Sequence, residues 1–263
     1  MKRIVALAMG LMLLTDCGAA VADEPGEDIH WVASDYYPSG ANRGDAFGGY
    51  PLYVELPEDD IHVCGAPGND RGMILIHEDR ETLFSDWGYP KYDYPCIAYY
   101  DFDGDDTKEI GVITLVGSGT FISLKDLHIV TIEKTDTGDY RYIDHAFTCD
   151  DVGAFFGEGL KAKRGKKKNT VEFSFGKKTW TADLDPELPW IEADGINVKV
   201  PDSFGFVNFA FQGKGIRLRA TPYVTYETQA IPGYLQGDLT ADVTFDGKQF
   251  HITNIDYEPD QED

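Results

Sequence analysis

Basic side chains are scarce in this chain: 23 Lys and Arg stand against 46 Asp and Glu, a formal charge of −23 over 263 residues. So acidic a surface repels phosphate backbones and attracts divalent cations, which excludes nucleic acid as an expected partner. Long apolar runs are equally rare. Beyond the first 22 residues no stretch approaches the ~20 apolar residues that a membrane helix needs, so no membrane span is expected. Cysteine is limited to Cys17, Cys64, Cys96 and Cys149, too few for a disulfide-dense scaffold. The chain also lacks a Gly-x-Ser-x-Gly elbow, a His-Glu-x-x-His zinc motif, a phosphate loop and a dinucleotide fingerprint. Gly117-Ser118-Gly119 does not have the spacing of the elbow. Motifs therefore assign no catalytic and no cofactor-binding residue.

What the N-terminus holds is a leader pattern. Lys2 and Arg3 precede an apolar run from Ile4 to Leu14, and small residues end in Ala20-Val21-Ala22. That order predicts a secretory signal over residues 1–22, cleaved after Ala22, and an extracellular mature chain. The alternative is a lipid-anchored surface protein, because LLTDCG places Cys17 in a lipoprotein-like setting. Asp16, where a small residue should precede the modified Cys, weighs against acylation. The three remaining cysteines allow at most one disulfide. Cys64 in DIHVCG and Cys96 in YPCIAYY, both on strand-like segments, are the preferred pair; three buried free thiols are the alternative.

Residues 23–50, rich in Gly, Asp, Ser and Pro, read as a loosely ordered arm. From Leu52 short β-like runs recur between turn residues: LYVEL, IHVCGA, GMILIH, TLFSDW, CIAYYDF, EIGVITLV, DLHIVTIE and YRYIDHAF. Their length, their Val, Ile, Tyr and Phe content and their close spacing predict antiparallel strands. Thr148-Cys-Asp-Asp151 before VGAFFGEGL predicts one short helix near 149–160, with Thr148 as cap and the two acids at its positive end. The basic run KAKRGKKK (161–168) reads as a solvated turn, or less simply as a contact for an anionic surface.

Alternation then sharpens. Val171, Phe173 and Phe175 oppose Glu172 and Ser174, Gly176 turns the chain, and Trp180, Ala182 and Leu184 repeat the apolar set. Leu239, Ala241, Val243 and Phe245 alternate with Thr240, Asp242 and Thr244 ahead of an Asp246-Gly247 turn, a strong hairpin signal. The expected fold is mainly β, antiparallel, as propeller-blade-like sheets or two packed sheets. A first β region spans 51–148, a second packs on it over 149–258, and 259–263 forms an acidic tail.

The densest chemistry lies in YYDFDGDDTKEIGV (99–112), where five carboxylates fall within nine residues between two strand-like runs. Ca²⁺ takes six to eight hard oxygens, and Asp101, Asp103 and Asp105 at alternate positions can converge on one point. Gly104 relaxes the turn, the Thr107 carbonyl can serve as a ligand, and Glu109 closes the ring. An EF-hand is excluded, since its sixth position demands Gly and its twelfth Glu, where this chain has Asp106 and Val112. The pattern Asp-x-Asp-Gly-Asp-x-x-x-Glu between strands resembles the calcium loop of integrin-type FG-GAP repeats, also called VCBS-type repeats. The continuation through Gly117-Ser118-Gly119-Thr120 to Asp126-Leu127-His128 is similar to exported proteins of that family from Gram-positive bacteria. The resemblance covers residues 94–133. It implies a loop joining neighbouring strands of a propeller blade and binding structural Ca²⁺ through Asp101, Asp103, Asp105, the Thr107 backbone and Glu109. Asp106 stands where the family usually has Gly, and only one such loop is present.

Other candidates have simpler readings. His77-Glu78-Asp79 reads as a hairpin end rather than a zinc site, and His62 with Cys64 makes one pair, not a metal centre. Trp87, Trp180, Trp190 and the tyrosines of YPKYDYP (89–95) could line a carbohydrate surface, although packing explains them more simply. The functional expectation is an exported, calcium-stabilised binding or surface module for an unknown protein or glycan ligand, more readily a non-enzyme. The alternative is a secreted hydrolase of glycans or peptides without a local signature.

Overall fold

The computed structural model describes residues 30–32, 46–68, 71–88, 93, 95–119, 122–167, 170–183, 205–224, 233–234 and 237–259. The expected signal, Cys17, most of the arm, Trp190 and nearly all of the acidic tail lie outside them. The chain opens with β1 (His30–Val32), β2 (Ala46–Phe47), β3 (Tyr50–Leu56), β4 (Ile61–Gly65), β5 (Met73–His77) and β6 (Arg80–Phe84). The middle holds β7 (Cys96–Tyr100), β8 (Glu109–Gly119), β9 (Ile122–Lys134), β10 (Tyr140–Phe147) and the helix α1 (Cys149–Gly159). After it come β11 (Leu160–Arg164), β12 (Thr170–Phe175), β13 (Lys178–Asp183), β14 (Phe206–Gln212) and β15 (Gly215–Thr221). The described chain ends with β16 (Tyr223–Val224), β17 (Gly233–Tyr234), β18 (Gly237–Phe245) and β19 (Phe250–Pro259). Among the described residues the fold is mainly β with one short α-helix, and its largest sheet curls into a half-barrel.

That sheet runs β1-β7-β8-β9-β14-β15-β18-β19, with β10 also on β9. β9 is long enough to serve two partners. Its first residues pair in parallel with β14 (Ser123 with Phe206, Leu124 with Val207), and residues 127–134 pair with β10. The stretches expected as separate β regions thus contribute to one continuous sheet. A second sheet, β2-β3-β4-β5-β6, lies on one face of the first. Val54, Leu56, Ile61, Val63, Met73 and Leu75 meet Ile97, Ile110, Val112 and Val130 there. On the other face α1 and the three-stranded β11-β12-β13 sheet pack over Leu127, Ile129, Phe209, Phe211 and Leu218. Covered on both sides, β8 is buried from Glu109 to Leu115, which explains why EIGVITLV is an apolar run rather than an alternating one.

Thr148 caps α1 as expected: its side chain accepts from the Asp151 amide, and Asp151 returns a bond to the Thr148 amide, closing a capping box. Among the described residues no helix is long and apolar enough to cross a membrane. The basic run departs from expectation, because its first half is a strand. Leu160 and Ala162 face the core while Lys161 and Lys163 point outward, a period-two pattern that the charges mask.

The expected Cys64–Cys96 disulfide is corrected by the structure, in which both are free thiols. Cys64 belongs to a small cluster with Ile74 and Ile76, whereas Cys96 lies in the large core and donates to the Val32 carbonyl at 3.3 Å. Burial pushes the Cys64 thiol up to about 11, and burial with Asp126 and Asp150 pushes Cys149 up to about 12, so both are poor nucleophiles at neutral pH.

Candidate metal centre

The acidic loop joins β7 to β8, two neighbouring antiparallel strands that close on the Tyr100–Glu109 pair. Backbone amides fold it around its own carboxylates. Asp101 accepts from the amides of Gly104 (2.7 Å), Asp105 (3.1 Å) and Asp106 (3.0 Å). Asp103 accepts from Asp105 at 3.1 Å, and Glu109 from Phe102 at 2.8 Å. Gly104 takes φ +80°, a conformation glycine adopts without a steric cost, and Asp106 takes φ +71°, which an L-residue with a Cβ rarely adopts.

Three of the five expected ligands converge. One ligand oxygen each from Asp101, Asp103 and Glu109 lies within 4.8 Å of the others. Asp105 does not join them: it is exposed, and its Oδ1 instead accepts from the Thr107 amide at 2.7 Å. Thr107 is likewise exposed, with its N–H committed to that turn. Glu109 is only 3% exposed. Burial pushes its carboxyl up to about 7 against the pull of the Phe102 amide, and Asp103, Asp101 and Asp105 push it further. Asp103 is also raised, chiefly by burial. The adjacent cation gives no relief, since the Lys108 ammonium sits over the Tyr99 ring, 5.2 Å from its centroid. Carboxylates driven together at the rim of a core are what a hard cation would neutralise.

Two contacts position this loop. Beneath it Phe102 packs on Tyr100 and Phe211, and a Cβ on Gly111 would lie 2.8 Å from Phe211 and 2.9 Å from Phe102, so only glycine fits. Beside it stands the β18–β19 turn. A Cβ on Gly247, at φ +83°, would lie 2.7 Å from Asp103 Oδ2. The curl of the large sheet therefore brings the last hairpin against the acidic loop. Asp246 organises that turn by accepting from the Lys248 and Gln249 amides and from His251, whose ring holds the Asp246 carboxyl at about 2.

The other sequence candidates resolve into packing. His77 is buried, with Nδ1 3.1 Å from the Tyr142 hydroxyl, and Glu78-Asp79 form the two-residue turn beyond it. His62 is stacked on Phe47 and held between Glu55 and Asp60. Trp87 is core at 1% exposure, as the simpler packing reading expects. Trp180 donates to Asp256 at 2.8 Å, and the tyrosines of 89–95 lie outside the described residues.

Sequence reasoning missed one polar array. His128 Nδ1 lies 3.1 Å from Asp144, its Nε2 3.4 Å from Thr114 Oγ1, and Trp87 Nε1 donates to Asp144 at 2.9 Å. The order Thr–His–Asp matches that of a nucleophilic triad, but Thr114 is 1% exposed and His128 4%, so no substrate reaches the hydroxyl. The signal was a His inside DLHIVTIE and an Asp inside YRYIDHAF, both interrupting apolar strands.

On the polar face of β15, β18 and β19 an open groove of about 690 Å³ is lined by Arg217, Arg219, Thr240, Asp242 and Glu258. Arg217 donates to Asp242, Thr240 and Glu258. Asn254 and Arg217 hold the Asp242 carboxyl below the usual carboxylate range, the reverse of the raised acid that glycoside hydrolysis requires. Comparison with protein-family models, with curated proteins and with solved structures finds no match.

Proposed function

We propose that this chain is an exported, calcium-stabilised β module that works by binding, at a cell surface or outside the cell, rather than by catalysis. The observation that carries this reading is the convergence of Asp101, Asp103 and Glu109, with Glu109 buried and raised. These three would hold the ion, and Asp105 with the Thr107 carbonyl, the remaining members of the expected set, lie in the adjoining turn. The resemblance of this loop to FG-GAP repeats supports the choice of calcium, and the leader pattern over residues 1–22 supports export. A hydrolase of glycans or peptides would need a raised acid within reach of substrate or a reachable nucleophile; the raised Glu109 is buried at 3% exposure, the groove's Asp242 is lowered and Thr114 is sealed.

The calcium role is structural in scale. Extracellular modules bind with dissociation constants of about 10⁻⁴–10⁻³ M, so roughly millimolar calcium would add about 0.4–1.4 kcal/mol. For a chain of this length that is a rise of about 1–5 °C in melting temperature. Thermal unfolding in chelator and in calcium, with magnesium as control, tests it. A shift specific to calcium supports the reading, and identical curves reject it.

A further inference from the structure

Residues 160–183 hold eight of the chain's 23 Lys and Arg but only two acids, Glu172 and Asp183, a local charge of +6 in a chain of −23. Lys161, Lys163, Lys166, Lys167, Lys177 and Lys178 belong to one module, the β11-β12-β13 sheet and its turns. Its inner face (Leu160, Val171, Phe173, Ala182) joins the core, so Lys161 and Lys163 must point away from the body. Lys166 and Lys167 are exposed in the turn at one end of β12, and Lys177 is exposed in the turn at the other, about 20 Å away at the rise of an extended strand. Three acids temper the patch: Glu172 pairs with Lys163 at 2.8 Å and also feels Lys166, Asp256 lies 3.5 Å from Lys178, and Asp183 is exposed opposite Thr170. Lys161, Lys166, Lys167 and Lys177 remain as a spread of exposed cations.

We infer that this face docks on an anionic lipid surface. The lysines lie on the outer side of a sheet and at both of its ends, a spread that meets a plane of headgroups; a linear polyanion is tracked by a groove. Lysine supplies point charges without the fork that selects a single phosphate, which suits a diffuse field. The chain's overall negative charge does not forbid the contact. At physiological ionic strength fields decay within about 8 Å, so the lysines facing the plane are felt while acids farther away are screened.

The test is sedimentation of the full mature chain, in chelator to exclude calcium bridging, with phosphatidylcholine vesicles and with vesicles that carry roughly one-third phosphatidylglycerol. Binding is expected only to the anionic vesicles. It should weaken at least about 30-fold in Lys166→Glu/Lys167→Glu and vanish as salt approaches about 1 M. Lys177→Glu, at the opposite end, provides an independent variant should the double substitution perturb folding. Absence of binding, equal binding by both variants, or retention only on a polyanionic resin would each overturn the assignment.

Discussion

Gly111 sits under the acidic loop with no room for a methyl group, because Phe102 and Phe211 close over it. Since the Phe102 amide is the donor that holds Glu109, moving Phe102 moves the Glu109 carboxylate. Gly111→Ala is therefore expected to cost about 1–3 kcal/mol in urea unfolding and to weaken calcium binding as well. A variant that loses stability yet binds calcium normally would break that link. His77 allows a pH test remote from the loop. Burial lowers its pKa, so below about 6.5 the unfolded chain takes up a proton that the folded protein resists. Stability supplied by neutral His77 is present above pH 6.5 and lost as pH falls toward the lowered folded value. Glu109, raised to about 7, contributes the opposite slope in this window, so the His77 contribution is read as a difference. In unfolding curves between pH 7.5 and 5 the wild-type protein should lose more stability than His77→Gln, which can still face the Tyr142 hydroxyl.

The hairpins divide by the quality of their turns. Asp246-Gly247 has its glycine at positive φ, whereas the β5–β6 turn places Glu78 at +49° and Asp79 at +60°, where Asn-Gly or Asp-Gly is favoured. Asp79→Gly should therefore stabilise the protein by roughly 0.5–1 kcal/mol, read as a higher urea midpoint. An unchanged or lower midpoint would mean that the Asp79 side chain contributes something the turn geometry does not reveal. These turns also mark how far the sequence could be read. Strands flanked by clear turns, the Thr148 cap and the acidic loop are local patterns, and each was legible. The Thr114–His128–Asp144 array depends on three strands in fixed register, and β11 hid its alternation behind lysines. The expected disulfide failed for a related reason: strand propensity at Cys64 and Cys96 says nothing of which core each side chain enters.

Across the whole molecule the curl of the large sheet is the decisive feature. It sets Phe211 of β14 against Gly111 of β8, and the β18–β19 turn against Asp103, so the acidic loop is packed from beneath and from the side. Neither contact could be foreseen, because each joins segments more than 90 residues apart. A calcium ion held by Asp101, Asp103 and Glu109 would fix the loop against which the last hairpin packs. The most direct measurement is calorimetric titration of calcium into chelator-treated protein, beside an Asp103→Ala/Glu109→Ala variant. One saturable site, with a dissociation constant of about 10⁻⁴–10⁻³ M and lost in the variant, is the predicted result. No binding heat, with no calcium-dependent change in melting, would contradict the account and leave YYDFDGDDTKEIGV as an acidic hairpin tip.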